Sequence, residues 1–205
     1  MTETQDLDGF SDKMSAQPPA DIDRERCALI VVDMVNAYLD PAGEMPVSDA
    51  GPVIDATRAL VDATRAAGGK VVWVRPGHTE GADGLFRIRI PHAIGEGHGA
   101  QIHPDLAPDE AEKLIKKRRY SSFFGTDLDM YLREHDIRSV IVCGVALNIC
   151  VRSTVHDAFF NGYDVFVVEE ACKATGEREH ESTLYDIATH FGQVLSLEDA
   201  VSRLA

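Results

Sequence analysis

The chain has 205 residues, of which 44% are hydrophobic and 26% are charged, and this predicts one globular domain with a buried core. Its formal net charge is -14. Such an acidic surface repels phosphate backbones and anionic lipid, so nucleic acid and membranes are not expected partners.

The four cysteines and the N-terminal composition predict a cytoplasmic protein. The cysteines lie at Cys27, Cys143, Cys150 and Cys172. No pair has metal-ligand spacing, and a chain of this size does not need disulfides, so we expect reduced thiols. The N-terminus is polar, and no apolar run approaches the roughly 20 residues that span a bilayer.

The predicted elements alternate between strands and helices. Residues 1–24 lack periodicity and are predicted to be a flexible arm, which leaves residues 25–205 as the folded domain. Apolar runs predict strands at 27–33, 70–75, within 111–117, 139–144, 163–169 and 193–195. Amphipathic segments predict helices at 49–67, 126–135, 148–161, 179–190 and 196–205. The order predicts an α/β fold, a three-layer αβα domain with a six-stranded, mostly parallel sheet.

Three reactive residues follow different predicted strands. Asp33 ends the first strand, Lys117 follows the third, and Cys150 lies just beyond the fourth, near the start of a helix. The carboxyl ends of parallel strands share one edge of a sheet, so we expect these side chains to converge. A helix N-terminus favours a thiolate and offers N–H groups to an oxyanion. Asp33 is the candidate general base, and Lys117 the candidate cation.

Each of these residues also has a structural interpretation. A carboxylate after a strand is often a helix cap or loop residue. A lysine within the KKRR run at 116–119 is often solvated, and this run also raises a nucleic-acid-binding alternative, although it is weak on so acidic a chain. A cysteine early in a helix is often a small buried hydrophobe. Their joint placement is what favours catalysis.

Three segments resemble the isochorismatase-like cysteine hydrolases, the superfamily that includes nicotinamidase, N-carbamoylsarcosine amidase, ureidoacrylate amidohydrolase and biuret hydrolase. They are ALIVVDMVNAY at 28–38, KRRYSSFFGTDL at 117–128 and CGVALNICVRSTVHDAFFNGYDVFVVEEAC at 143–172. The resemblance extends from about residue 27 to the C-terminus. The third segment, which looks like the family's nucleophile region, is the most specific.

The resemblance implies a catalytic triad and a homo-oligomer, either a dimer or a tetramer. Cys150 would be the nucleophile that forms an acyl-enzyme, with Asp33 and Lys117 as its partners. A cis peptide is implied between Val145 and Ala146. The turn would direct the N–H groups of Ala146 and Cys150 at the oxyanion. No cofactor is expected.

The stretch after the second strand bears on the substrate. Isochorismatases proper lack the cysteine, so the presence of Cys150 favours acyl chemistry on an amide or ureide. Nicotinamidases carry an Asp-x-His-x-x-x-His metal segment, but here RPGHTEGADG at 75–84 has Pro76 in place of the Asp and lacks the second His. We therefore predict no metal site. Three other histidines could serve as metal ligands, namely His92, His98 and His103. Hydrogen-bonded or solvated roles are favoured for all three.

Several polar side chains are candidates for substrate binding. The polar candidates predicted to surround the pocket are Asn36, His78, Arg87 and Arg89. Leu147, which stands where many relatives carry Thr, is also predicted to lie at the pocket. Arginine suits bidentate capture of a carboxylate, although both arginines could be surface charges. Segment 180–200 and Asn36 are similar to ureidoacrylate-type relatives. We predict a hydrolase of carbon–nitrogen bonds in a small carbamoyl, ureido or amide substrate, with nicotinamidase-like or maleamate-type hydrolysis and a non-catalytic scaffold as alternatives.

Overall fold

Six parallel strands form one sheet in the computed structural model, which describes residues 20–81 and 83–205. The strands are β1 (Cys27–Val32), β2 (Lys70–Pro76), β3 (Lys113–Lys117), β4 (Ser139–Val145), β5 (Asp164–Lys173) and β6 (Gln193–Leu195). Their order is β3-β2-β1-β4-β5-β6, and every neighbouring pair is parallel. The predicted α/β sheet is therefore confirmed.

The strand order reverses at β1, and this creates a crevice. The chain runs outward from β1 through β2 to β3, then returns to place β4 on the opposite side of β1. The segments that leave β1 and β4 must diverge, so a cleft opens between them at the carboxyl ends of the strands. Asp33 and Cys150 lie on those two segments.

Burial of the strands explains their sequences. Every residue of β1 (CALIVV) and of β4 (SVIVCGV) is buried, which suits the apolar runs of a sheet covered on both faces. Strand β3 (KLIKK) lies at an edge and alternates between exposed and buried positions. Charged side chains on an edge strand discourage pairing with another chain. Lys117, the last residue of β3, is buried instead.

Six α-helices pack around the sheet in the part of the chain that the structure describes. They are α1 (Asn36–Leu39), α2 (Gly51–Ala66), α3 (Leu128–Glu134), α4 (Arg152–Phe160), α5 (Glu177–Asp186) and α6 (Leu197–Leu204). Helix α2 packs against α6 and four of the strands, and α4 packs against β4 and β5. Helix α2 has Pro52 in its first turn and is followed by Gly68 with φ of 73°, which are typical start and stop signals.

The structure differs from the predicted elements in four places. Strand β5 continues to Lys173 because it pairs again with β4 beyond an irregularity between Val142 and Gly144. Widened π-helical turns precede α4 and follow α5, at Leu147–Val151 and Ile187–Phe191. The four-residue helix α1 was not predicted, since it is too short to show a helical period.

The long segment 76–111 is a loop with short 3-10 turns rather than an unstructured connection. The turns are Gly84–Arg87, His98–Ala100 and Pro104–Leu106. The buried guanidinium of Arg75, in β2, donates to the carbonyls of Gly95 and Ala100 and pairs with Glu96. This cation therefore holds the middle of the loop against the end of β2.

The N-terminal arm is described only in part. Residues 1–19 of the predicted arm lie outside the described residues. Ile22 is buried, and the carbonyl of Ala20 accepts a hydrogen bond from Gln193. Among the described residues, no helix combines the length and the apolar character needed to cross a bilayer.

Gly144 provides a test of the packing between β1 and β4. Its φ is 118°, and a Cβ at this position would lie 2.0 Å from the carbonyl oxygen of Val32. We expect Gly144→Ala to lower the free energy of unfolding by about 3 kcal/mol or more, or to prevent folding, because strain and a backbone clash coincide. Urea-induced unfolding measures the change.

Gly51→Ala is the matched control. A Cβ at Gly51 meets no atom within 4 Å, and the residue lies at the start of α2. This variant should be neutral or stabilising by up to about 1 kcal/mol. Equal unfolding midpoints for the two variants would contradict the importance of the Gly144 contact.

Candidate active site

Asp33 lies at the carboxyl end of β1 in a backbone conformation that is uncommon for residues other than glycine. Its φ is 54°, in the left-handed region, and its side chain is fully buried. Its N–H donates to the carbonyl of Val74, and its carbonyl accepts from the N–H of Val35. These bonds fix the tight turn that carries the carboxylate into the crevice beside β4.

Lys117 forms a buried ion pair with Asp33. Its Nζ lies 2.7 Å from Asp33 Oδ2 and also donates to the carbonyl of Arg119 at 3.1 Å. Burial disfavours the ammonium charge, but the proximity of Asp33 and Cys150 outweighs burial and raises the pKa of Lys117. Among the described residues, neither carboxylate oxygen of Asp33 has a hydrogen-bond partner of regular geometry, and Oδ2 is the oxygen that forms the ion pair with Lys117. One carboxylate oxygen is therefore free to accept a proton.

Cys150 occupies the π-helical turn between β4 and α4. The peptide bond between Val145 and Ala146 is cis, and Gly144 precedes it with positive φ. The Cys150 side chain is partly buried. Burial raises the pKa of the thiol to about 12, while the charge of Lys117 opposes this shift and that of Asp33 adds to it. A resting thiol is therefore neutral near pH 7 and needs a base before it can attack.

The three side chains lie together, as the strand order requires. Asp33 leaves β1, Lys117 ends β3, and Cys150 follows β4, so residues distant in sequence meet at the reversal point. Both charged groups act directly on the thiol. The other described cysteines are buried and lie elsewhere: Cys27, Cys143 and Cys172. A carboxylate, an ammonium and a thiol in contact can transfer a proton and stabilise an anion.

A pocket of about 90 Å³ opens onto Cys150. Its apolar wall consists of Met45, Val47, Leu85, Val145 and Ile149. Its other wall residues are Tyr38, Arg89, His92, Tyr120, Ala146 and Thr175. The pocket is much smaller than the roughly 300–1,000 Å³ that holds drug-sized ligands, so it suits a small substrate.

Two tyrosines flank the thiol in this pocket. Burial, followed by the nearby Asp33 charge, raises the pKa of Tyr38, so its phenol is neutral. The hydroxyl of Tyr120 is buried, and within the described part of the chain it has no hydrogen-bond partner. A buried hydroxyl without a partner is costly, so a bound ligand that pairs with it would gain affinity.

The predicted substrate-binding residues are only partly brought to the pocket. Both arginines are exposed, but Arg89 lines the pocket, whereas Arg87 lies outside it on the preceding 3-10 turn. Asn36 donates to the carbonyl of His98 at 3.0 Å and lines a neighbouring cleft instead. Leu147 is fully buried in the hydrophobic core and does not line the pocket. His78 is buried behind His92, with their ring centroids 5.1 Å apart.

Sequence reasoning missed the role of Asp83. This buried carboxylate accepts from Nδ1 of His78 at 3.0 Å and pairs with two cations, Arg118 at 3.5 Å and Arg119 at 3.3 Å. Burial opposes ionisation, but the hydrogen bonds from His78 and the Leu85 N–H, together with these cations, lower the pKa of Asp83. The arginines of the KKRR run therefore anchor the loop that forms the pocket.

The residues near His78 do not fit the metal site of a nicotinamidase. Pro76 has no ligand atom in its side chain, and Nδ1 of His78 is engaged by Asp83. Nδ1 of His92 donates to the carbonyl of Ile90 at 2.6 Å, and burial lowers the pKa of its imidazole. Within residues 20–81 and 83–205, no group of three or more His, Cys, Asp or Glu side chains is arranged to hold a metal ion.

The remaining histidines considered as ligands lie outside the pocket. His98 is exposed and lies 3.7 Å from Asp40. His103 accepts a weak hydrogen bond from the N–H of Asp105 at 3.4 Å. Both therefore have the hydrogen-bonded or solvated settings that the sequence favoured.

Solved structures share this architecture. A cysteine hydrolase from Pseudomonas syringae pv. phaseolicola is 27% identical, with a TM-score of 0.86 and coverage of 92% of this chain and 98% of that one. N-carbamoylsarcosine amidase from Thermoplasma acidophilum is 30% identical (TM-score 0.77; 84% and 97%). A nicotinamidase from Bacillus subtilis is 27% identical (TM-score 0.79; 83% and 99%).

A family model covers most of the chain and agrees with the likeness in structure. The model of the isochorismatase domain matches residues 27–199, which include all six strands and the three side chains that meet at the reversal point. The chain therefore belongs to the isochorismatase family of hydrolases.

Proposed function

We propose that this protein is a cysteine-dependent amidohydrolase that cleaves a carbon–nitrogen bond of a small carbamoyl or ureido substrate. The observation that carries the proposal is the buried Asp33–Lys117 pair beside the Cys150 thiol, at the mouth of a small pocket. A scaffold would gain nothing from this costly arrangement, because each buried charge must be compensated.

The chemistry begins with proton transfer. The free Oδ1 of Asp33 accepts the thiol proton as the Cys150 sulfur attacks the substrate carbonyl. Lys117 stabilises the anion that develops, and the N–H groups of Ala146 and Cys150 are the proposed donors to the oxyanion. A base is needed because burial raises the pKa of the thiol to about 12.

The intermediate then collapses in two steps. Asp33 returns the proton to the substrate nitrogen, the carbon–nitrogen bond breaks, and ammonia or an amine leaves. A thioester remains on Cys150. Water attacks this thioester with Asp33 again as base, and the thiol regains its proton as the carboxylic or carbamic acid departs.

The pocket walls support a substrate that bears a carboxylate. Arg89 supplies a guanidinium, and the hydroxyl of Tyr120 has no hydrogen-bond partner among residues 20–81 and 83–205. An acid approaching a chain of net charge -14 needs such a cation to offset repulsion. The likeness to an N-carbamoylsarcosine amidase supports the carbamoyl class.

An aromatic amide is the second candidate substrate. Tyr38 and Tyr120 line the pocket and provide faces on which an aromatic ring could pack. The likeness to a nicotinamidase supports the same alternative.

Replacing Cys150 tests the mechanism. We expect Cys150→Ala to reduce turnover to below about one thousandth, since loss of a nucleophile removes most of the chemistry. Ammonia or amine release is measured with N-carbamoyl amino acids, ureidoacrylate, biuret, maleamate and nicotinamide, before and after chelation. Cys27→Ala, at the opposite end of β1, is the control and should keep near-normal activity. Activity that survives in Cys150→Ala but is lost in Cys143→Ala or Cys172→Ala would refute this nucleophile.

Replacing Lys117 tests the electrostatics of the thiol without a substrate. After burial, the charge of Lys117 has the largest effect on the pKa of Cys150, and it lowers that pKa. We therefore expect Lys117→Met to raise the thiol pKa and to slow alkylation of Cys150 by iodoacetamide near neutral pH by about tenfold, which corresponds to one pKa unit. Peptide mass spectrometry locates the label.

Lys116→Met is the matched control for this measurement. Lys116 is the preceding residue, is exposed and pairs with Glu96. Its replacement should leave the alkylation profile of Cys150 unchanged. Equal profiles for the two variants would show that Lys117 does not act on the thiol.

Replacing Arg89 tests the carboxylate. A charge-assisted contact is worth about 1.5–3 kcal/mol, so Arg89→Met should raise KM for a carboxylate substrate by about tenfold or more. It should change KM little for a neutral amide of similar size. Arg87→Met, two residues away and outside the pocket, is the control and should change neither. If Arg89→Met affects both substrates alike, the carboxylate contact is wrong, while the roles of Asp33, Lys117 and Cys150 stand.

A further inference from the structure

A single buried hydroxyl, that of Thr154, joins the two segments that carry Lys117 and Cys150. Thr154 lies in α4, and its Oγ1 donates to the carbonyl of Cys150 at 2.8 Å. The same oxygen accepts the backbone N–H of Ser122 at 3.0 Å and lies 2.9 Å from Ser122 Oγ. Ser122 follows Lys117 by five residues.

The direction of each bond is determined by counting protons. A hydroxyl has one proton, and that of Thr154 is committed to the Cys150 carbonyl. Ser122 Oγ must therefore donate to Thr154 Oγ1. Both side chains are fully buried, so water cannot replace any of these bonds. The connection has one arrangement of protons and no solvated alternative.

The backbone around Cys150 needs such a connection. The N–H groups of Val151 and Arg152 reach five residues back, to Ala146 and Leu147, so this turn is wider than an α-helical one. The bond from Val151 is 3.3 Å long. π-helical turns of this kind are frequent at functional sites. The bond from Thr154 adds a fixed donor to the carbonyl of the cysteine itself.

The other end of the connection lies in a segment without regular structure. After β3 the chain passes Lys117 and Tyr120 and reaches α3 only at Leu128. In this interval Ser121 Oγ donates to Asp157 of α4 at 2.5 Å, which is a second tie to the same helix. Helix α4 therefore holds the segment that follows Lys117 through two consecutive serines.

We propose that Thr154 is a positioning residue that sets the separation between the Cys150 thiol and the Lys117 ammonium. This inference rests on the proposed role of Cys150 as nucleophile. Without the hydroxyl, the π-helical turn would lose its donor to the Cys150 carbonyl, and the segment after β3 would lose the tie at Ser122 while keeping the one from Ser121 to Asp157. Lys117 would then stabilise the thiolate less well, and the reaction would slow even though every reacting group is present.

The test is the alkylation of Cys150 by iodoacetamide from neutral to alkaline pH, which needs no substrate. Thr154→Val keeps the shape of the side chain but removes its hydroxyl. We expect its alkylation midpoint to move to higher pH, with a rate near neutral pH that is lower by about threefold to tenfold. With whichever substrate the ammonia screen identifies, kcat should fall by about tenfold or more, and KM should change little.

Two further variants separate positioning from a loss of packing. Thr154→Ser keeps the hydroxyl, so its alkylation profile should match that of the unsubstituted protein. Thr64→Val removes an equivalent buried bond, from Thr64 Oγ1 to the carbonyl of Leu60 at 2.8 Å in α2, and should leave the profile unchanged. Cys150→Ala provides the blank for labelling of other thiols.

The outcomes discriminate between the proposals. A Thr154→Val profile that matches Thr64→Val overturns the positioning role. If Thr154→Val does not fold, Ser122→Ala is tested in its place, because it removes one donor to Thr154 Oγ1. An alkylation profile of Cys150 equal to that of the unsubstituted protein would then overturn the proposal. A shifted alkylation profile in a protein that hydrolyses no amide in the screen would support positioning while refuting the proposed function.

Discussion

The buried ion pair between Asp33 and Lys117 is the interaction on which the rest of this site depends. Taking two charges out of water costs several kcal/mol per ion, and only close mutual contact compensates that cost. The contact requires the ends of β1 and β3 to approach across β2, which lies between them. The edge strand β3 must therefore be held in register, although its other lysines face solvent. Once the pair forms, the cysteine beyond β4 meets both a base and a cation.

The strands that carry the site could be predicted from the sequence because their burial on both faces gives continuous apolar runs. Strands β1 and β4 are continuous apolar runs, and parallel strands bring the residues that follow them to one edge. The convergence of Asp33, Lys117 and Cys150 could thus be expected before any coordinates. The extension of β5 to Lys173 could not, because it depends on pairing beyond an irregularity in the neighbouring strand.

The walls of the pocket were harder to predict, for a physical reason. Residues 76–111 have no period that distinguishes inward from outward side chains, so Arg87 and Arg89 were equivalent candidates until the 3-10 turn at Gly84–Arg87 oriented them. Asn36 and Leu147 satisfy local hydrogen-bonding and packing needs instead. The contact of Asp83 with His78, Arg118 and Arg119 joins two distant segments, and no sequence spacing indicates such a contact.

The anchoring of Asp83 has a consequence for how substrate preference can change in this fold. Asp83 ties one end of the pocket loop to His78, Arg118 and Arg119, and at the other end the ring of His92 contacts that of His78. Between these two ends, Leu85 and Arg89 line the pocket. On the proposed mechanism, changes within residues 84–90 would alter the wall of the pocket and leave Asp33, Lys117 and Cys150 in place. A change at Asp83 would act on the Arg118–Arg119 segment, which adjoins Lys117, so the pocket wall and the reacting groups would be affected together.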